Sequence, residues 1–397
     1  MAATAAAASA PSPAVAPPPG NPRFPLFDSL RAIAVLAVVF FHVCLVSGAL
    51  DDRVVGDAAG VLGAQGPVLF FAISGFLLYR PWVATAPSVA RYARRRALRI
   101  LPAYWLALTL LAIFPGIVGV FSDDWWRYYL FLQQYSQETL SRGIPVAWTL
   151  CVEVAFYLAL PVWALTVGRL ALRPQLVALA ALALGGAVVQ VLALRLEVSH
   201  LVAQTLLGQC TWMAVGMALA IASVAAEHRP SRLGRLVRDH SGWCWAGALA
   251  AFAALAVLRR HEGGLIGIIA ALQTQQPLLE AVADVALSGA LTALLLLPAV
   301  FAGRGFPHRV LAAPPLAWIG LVSYGIFLWH LTIAEFLALP AAPQQFSASG
   351  LDLAAKIPFA VTPVLLVLIL ALTCAIAAAS YYLVELPFLR RKERVRR

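Results

Sequence analysis

Ionisable side chains inside long apolar runs are informative, because one placed deep in hydrocarbon costs about 2.5–3.5 kcal/mol unless it has a partner or lines a wet cavity. Arg31 and His42 stand in one such run, Leu30–Leu50, eleven residues apart. At about 100° per residue that spacing is three helical turns plus about 20°, so both occupy one face, about 16 Å apart along the axis. A fixed cation at one end and a titratable imidazole at the other suit a path through the protein with general-base chemistry at its far end. The bland readings are an Arg31 that snorkels at a helix end beside Asp28, and a neutral His42 bonded to a neighbouring carbonyl.

Glu153 in WTLCVEVAFY and His330 in SYGIFLWH extend the pattern, with Ser323 seven residues before His330 on nearly the same face. The order of the spans puts His42, Glu153 and His330 at similar depth in the outer half. Three titratable groups at one level suit acid/base work on an external acceptor, or else a structural hydrogen-bond network. At the opposite mouth, RYARRRALRILPAYW sets Arg96 and Arg99 at i, i+3, where their guanidinia can fork to phosphates. Topology alone accounts for Arg94 and Arg95. Glu385 in VELPFLR is placed to balance one of these arginines. In FFAISGFLLYRPW, Gly75 reads as a point of close helix approach. Ser74 beside it is a candidate nucleophile with no base at adjacent spacing. The five cysteines lie singly, with no CxxC and no cluster with His, so they read as small core hydrophobes and no metal site is expected.

The elements that must position these residues follow from composition. Of 397 residues, 62% are apolar and 12% charged, with mean hydropathy +0.84, a balance that excludes a soluble globule. Runs of about 20 apolar residues predict an all-α, polytopic transmembrane bundle of about ten spans. They are Leu30–Leu50, Val61–Tyr79, Leu98–Phe121, Ala147–Val167, Gln175–Leu194, Val202–Val224, Trp243–Leu258, Glu280–Ala302, Leu316–Ala338 and Ile357–Val384. The net charge of +11 reads as topology, not as nucleic-acid binding. With both termini cytoplasmic, inner segments hold 21 of the 29 Lys and Arg, outer ones seven, and the pairs Asp51–Asp52 and Asp123–Asp124 lie outside. Residues 1–25, rich in Ala and Pro, read as a disordered cytoplasmic tail with no signal peptide, 26–389 as one membrane domain and 390–397 as a basic tail. Asp124–Gln134 mixes aromatic and polar residues as a helix lying on the outer surface would, or as an ordinary aromatic belt does.

Taken in order, FDSLRAIAVLAVVFFH, LFFAISGFLL, RRALRILPAYW, WTLCVEVAFY, SYGIFLWH and VELP resemble the membrane-bound acyltransferase family 3, over about Phe24 to Arg390. The resemblance implies a multi-pass plasma-membrane enzyme, with no bound cofactor, that uses acyl-CoA or a similar cytoplasmic thioester. Its acceptor would be a sugar or polyol hydroxyl of an envelope polysaccharide or glycosylated secondary metabolite. It carries functional roles onto Arg31 and His42 and onto Arg96 and Arg99. Some relatives add an extracytoplasmic hydrolase-like domain, which this chain is expected to lack. In the resulting scheme Arg31, Arg96 and Arg99 hold the donor's phosphates, and His42 is the base. Glu153 orients or charge-balances it, and His330 supplies an acid or polarises the carbonyl. The rival from another class is a transporter or flippase of a lipid or glycan, which also needs buried charges but is expected to show internal repeats and broken helix pairs.

Overall fold

A computed structural model describes residues 24–140, 142–195, 200–228, 231–259, 277–301, 305–338 and 359–391. Among these, ten helices are long and apolar enough to cross a bilayer. They are α1 (Leu26–Val46), α2 (Arg53–Thr85), α3 (Val89–Ile113), α4 (Trp148–Leu165), α5 (Leu172–Arg195), α6 (Leu206–His228), α7 (Ser241–Leu258), α8 (Leu278–Val300), α9 (Pro314–Ala338) and α10 (Thr362–Ser380). The last continues through a π-helical turn, Tyr381–Glu385, into Leu386–Arg391. Leu158 on α4, Leu184 on α5, Leu249 on α7 and Val367 on α10 are each about two-thirds exposed or more. Water would not tolerate that shell, whereas lipid tails demand it, and helices satisfy their own backbone groups there. The chain is a multi-pass membrane protein.

The bundle is built around α1 and α2, which pack on each other, α1 also on α9 and α2 on α6. Further pairs, α5 on α6, α7 on α8 and α9 on α10, complete the layers. The α2–α6 crossing is made backbone to backbone. A Cβ at Gly75 would come within 2.2 Å of the Met213 carbonyl oxygen, and one at Gly216 within 2.0 Å of that of Ala72. Small residues from both helices therefore let the axes approach, as the reading of Gly75 anticipated. Gly320 plays the same part where α9 crosses α1 at Asp28.

Helix ends depart from hydropathy for identifiable reasons. α2 runs 33 residues instead of starting at Val61, because Asp52 caps it, accepting from the N–H groups of Val54 and Val55 at 3.1 and 2.9 Å. α3 starts at Val89, where the Ser88 hydroxyl accepts from Arg91 N–H, so the basic run is helical. It stops at Ile113, short of the expected Phe121, since the residue before Pro115 is pushed to extended backbone. Beyond it Trp125–Tyr129 is α-helical and Gln133–Tyr135 a separate 3₁₀ turn, so the expected continuous surface helix over Asp124–Gln134 is broken into two short pieces. Phe131 adopts a left-handed φ of 60°, and Gln133 and Gln134 are buried. The Gln133 side-chain amide reaches the Tyr104 hydroxyl, which donates to the Tyr128 carbonyl at 2.9 Å. A partner inside the protein has drawn this polar segment inward.

Of the tail expected at 1–25, residues 1–23 lie outside the described residues, while Phe24 is buried against the rings of Phe27 and Phe76. Residues 392–397 of the basic tail also lie outside them.

Candidate active site

The five helices α1, α2, α3, α4 and α9 enclose a cavity of about 110 Å³, room for several waters. Arg31 enters it from α1, and Arg96 and Arg99 from adjacent turns of α3. Their like charges are set against carboxylates at the walls. Arg31 lies 3.5 Å from Asp28, one turn away on its own helix. Arg99 donates to Glu385 at 3.0 Å, and the receiving carboxylate is almost wholly buried. Glu385 closes the π-helical turn of α10, a local widening of the helix found often at functional positions. Among the described residues its second oxygen, Oε1, has no hydrogen-bond partner, nor does Arg96 Nε. The Arg96 guanidinium stands 6.0 Å from the centre of the Tyr157 ring.

Glu153 faces the same cavity, and Ser74 donates its hydroxyl proton to Glu153 at 2.6 Å. The sequence placed Glu153 level with the histidines; the structure places it with the arginines. Gly63 of α2 packs on Phe41, the neighbour of His42, and Ser74 lies eleven residues, about 16 Å, further along α2. The reason is that α4 starts level with the middle of α2. Trp148, its first residue, already packs on Phe71 with ring centres 6.1 Å apart, because the preceding segment folds back into the protein.

The histidines meet beyond the other end of the cavity. His330 Nε2 is 3.1 Å from His42 Nδ1, with ring centres 5.0 Å apart. His330 is fully buried, and its Nδ1 lies 3.1 and 2.9 Å from the carbonyl oxygens of Ile326 and Phe327. His42 Nδ1 also lies 2.9 Å from the Val38 carbonyl oxygen. Phe327, whose ring lines the cavity, is one turn before His330 on α9 and has its ring centre 6.0 Å from the imidazole. Phe70 of α2 stands across from it, ring centres 6.5 Å apart. The site thus has two parts, a cationic cavity and a buried imidazole pair, with Phe70 and Phe327 at the end of the cavity nearest the pair.

Sequence reasoning singled out the charged residues but passed over Tyr157, Tyr324, Phe70 and Phe327, all of which line the cavity. Tyr157 carried a usable signal, being four residues after Glu153 and hence on its face. Tyr324 had none, since its hydroxyl is fixed by the Ile100 carbonyl of another helix.

A family profile described as an acyltransferase domain matches residues 25–382. Among curated proteins, acyltransferase MdmB of Streptomyces mycarofaciens is 30% identical over 39% of this chain and 43% of its own length. Peptidoglycan O-acetyltransferase OatA of Listeria monocytogenes is 23% identical over 78% of this chain and 49% of its own. Putative peptidoglycan O-acetyltransferase YrhL of Bacillus subtilis is 23% identical over 91% and 54%. The chain spans about half the length of the curated relatives it matches. No solved structure matches it. With the ten-helix bundle and a profile that covers nearly all of it, the chain belongs to the membrane-bound acyltransferase family 3.

Proposed function

We propose that the protein is an integral membrane O-acyltransferase of the plasma membrane. It takes an acyl group from a cytoplasmic acyl-CoA-type thioester and delivers it to a hydroxyl of a sugar-containing acceptor, an envelope polysaccharide or a glycosylated secondary metabolite. The observation that carries this is the convergence of Arg31, Arg96 and Arg99 on one cavity whose far end lies a single helical turn from a bonded histidine pair. Relatives named for peptidoglycan O-acetylation support the class of acceptor.

In this reading the donor's phosphates occupy the arginine end, where guanidinia fork to phosphate oxygens, and compete with Glu385 for Arg99. Glu153, held by Ser74, keeps the empty cavity near neutrality. The thioester arm extends past Phe70 and Phe327. His42 takes the proton from the acceptor hydroxyl as its oxygen attacks the thioester carbonyl, and the thiolate leaves. Replacing both Arg96 and Arg99 by Ala should weaken acetyl-CoA binding at least tenfold, measured by titration of purified protein that elutes as a single species. Unchanged affinity in that variant would overturn the phosphate assignment.

A further inference from the structure

The positions of four backbone and ring atoms fix where the protons of the histidine pair reside. His330 Nδ1 faces two carbonyl oxygens, at 3.1 and 2.9 Å. A carbonyl oxygen only accepts, so that nitrogen carries a hydrogen. A neutral His330 then has its lone pair on Nε2, the atom that faces His42 Nδ1 at 3.1 Å. His42 Nδ1 in turn has two acceptors before it, this lone pair and the Val38 carbonyl at 2.9 Å, so it too carries a hydrogen. The opposite tautomer of His42 would set a lone pair against the Val38 oxygen and require a doubly protonated His330 in a fully buried site.

We infer that the base atom is Nε2 of His42, and that His330 is a positioning residue that holds this tautomer and takes no part in proton transfer to the substrate. This rests on His42 being the base, as in the function proposed above. When His42 Nε2 receives the acceptor's proton, the ring becomes an imidazolium and its Nδ1–H bond to His330 becomes charge-assisted. That bond strengthens as the transition state forms, which is where strengthening accelerates a reaction. His330 cannot pass a proton onward, because its other nitrogen donates to carbonyls that are not bases. Among the described residues, the titratable side chain in hydrogen-bond contact with His42 is His330.

The test compares three variants in acyl-CoA turnover, each first shown to bind acetyl-CoA as the wild type does. His330→Gln presents an amide oxygen to His42 Nδ1–H, whereas His330→Leu presents nothing. H330Q should retain at least tenfold more kcat than H330L, and both should keep a kcat/KM that rises with pH in a single limb. Equal loss in the two would remove the positioning role, and a descending limb in the wild type that vanishes in H330Q would show His330 acting as an acid; either result overturns the inference. His42→Asn, run beside them, separates the two levels. An active H42N removes the base reading itself, while an inactive H42N with H330Q no better than H330L removes the positioning role alone.

Discussion

At the scale of single residues, the proposed function assigns the arginines to the donor and His42 to the acceptor, and substitutions should separate the two roles. Asparagine at position 42 can still hydrogen-bond to the Val38 carbonyl and to His330, yet it cannot take a proton near neutral pH. His42→Asn should therefore lower turnover by about 10²–10⁴-fold, the usual contribution of a general base, with donor affinity preserved. Near-normal turnover by folded, donor-competent protein would move the chemistry elsewhere. Ser74 offers a different check. Its proton is committed to Glu153 at 2.6 Å, so direct transfer leaves it a supporting part, and Ser74→Ala should keep turnover within about tenfold of wild type. Abolished turnover in that variant, together with an acylated Ser74 peptide in wild type by mass spectrometry, would replace direct transfer by an acyl-enzyme. Residue identity was well marked in the sequence because charge in an apolar run stands out. The contact of Ser74 with Glu153 was not, since their 79-residue separation leaves no spacing to read.

At the scale of elements, hydropathy reveals that a helix exists but not where local chemistry ends it. All ten spans were legible, while the start of α2 depended on the Asp52 cap, the stop of α3 on Pro115, and the depth of α4 on a segment that folds back before it. That last difference moved Glu153 from the histidine level to the arginine cavity, so an element's depth decides which groups a residue can meet. Glycine spacing carried more reliable information. Gly216 meets the Ala72 carbonyl with no room for a Cβ, and adding one must part α2 from α6 or strain both, at a cost of about 1–3 kcal/mol. Gly216→Ala should lower the thermal unfolding midpoint in detergent by several degrees, since a loss of 1 kcal/mol shifts a large domain by about 2–4 °C. Gly185, with open space where its Cβ would be, serves as the control and should tolerate Ala. Equal behaviour of the two variants would contradict the close crossing.

At the scale of the whole molecule, the sequence shows a direction through its arginines. From their excess on alternate connections we propose that both termini lie in the cytoplasm and the arginine cavity at the cytoplasmic mouth. Reporters fused after Arg397 and inserted at Asp123 should then signal opposite compartments; matching signals would reverse the path from donor to acceptor. In the proposed function one protein carries an acyl group between those compartments, from the arginine cavity to the histidine pair. The direct measurement uses proteoliposomes of defined orientation, with radiolabelled acetyl-CoA confined to the side of Arg96 and Arg99 and solubilised envelope glycans or polyols on the other. Label should appear on the acceptor with matching release of free CoA thiol, both lost in His42→Asn. Transfer only when donor and acceptor share a side, or acceptor movement with no thioester consumed, would contradict it.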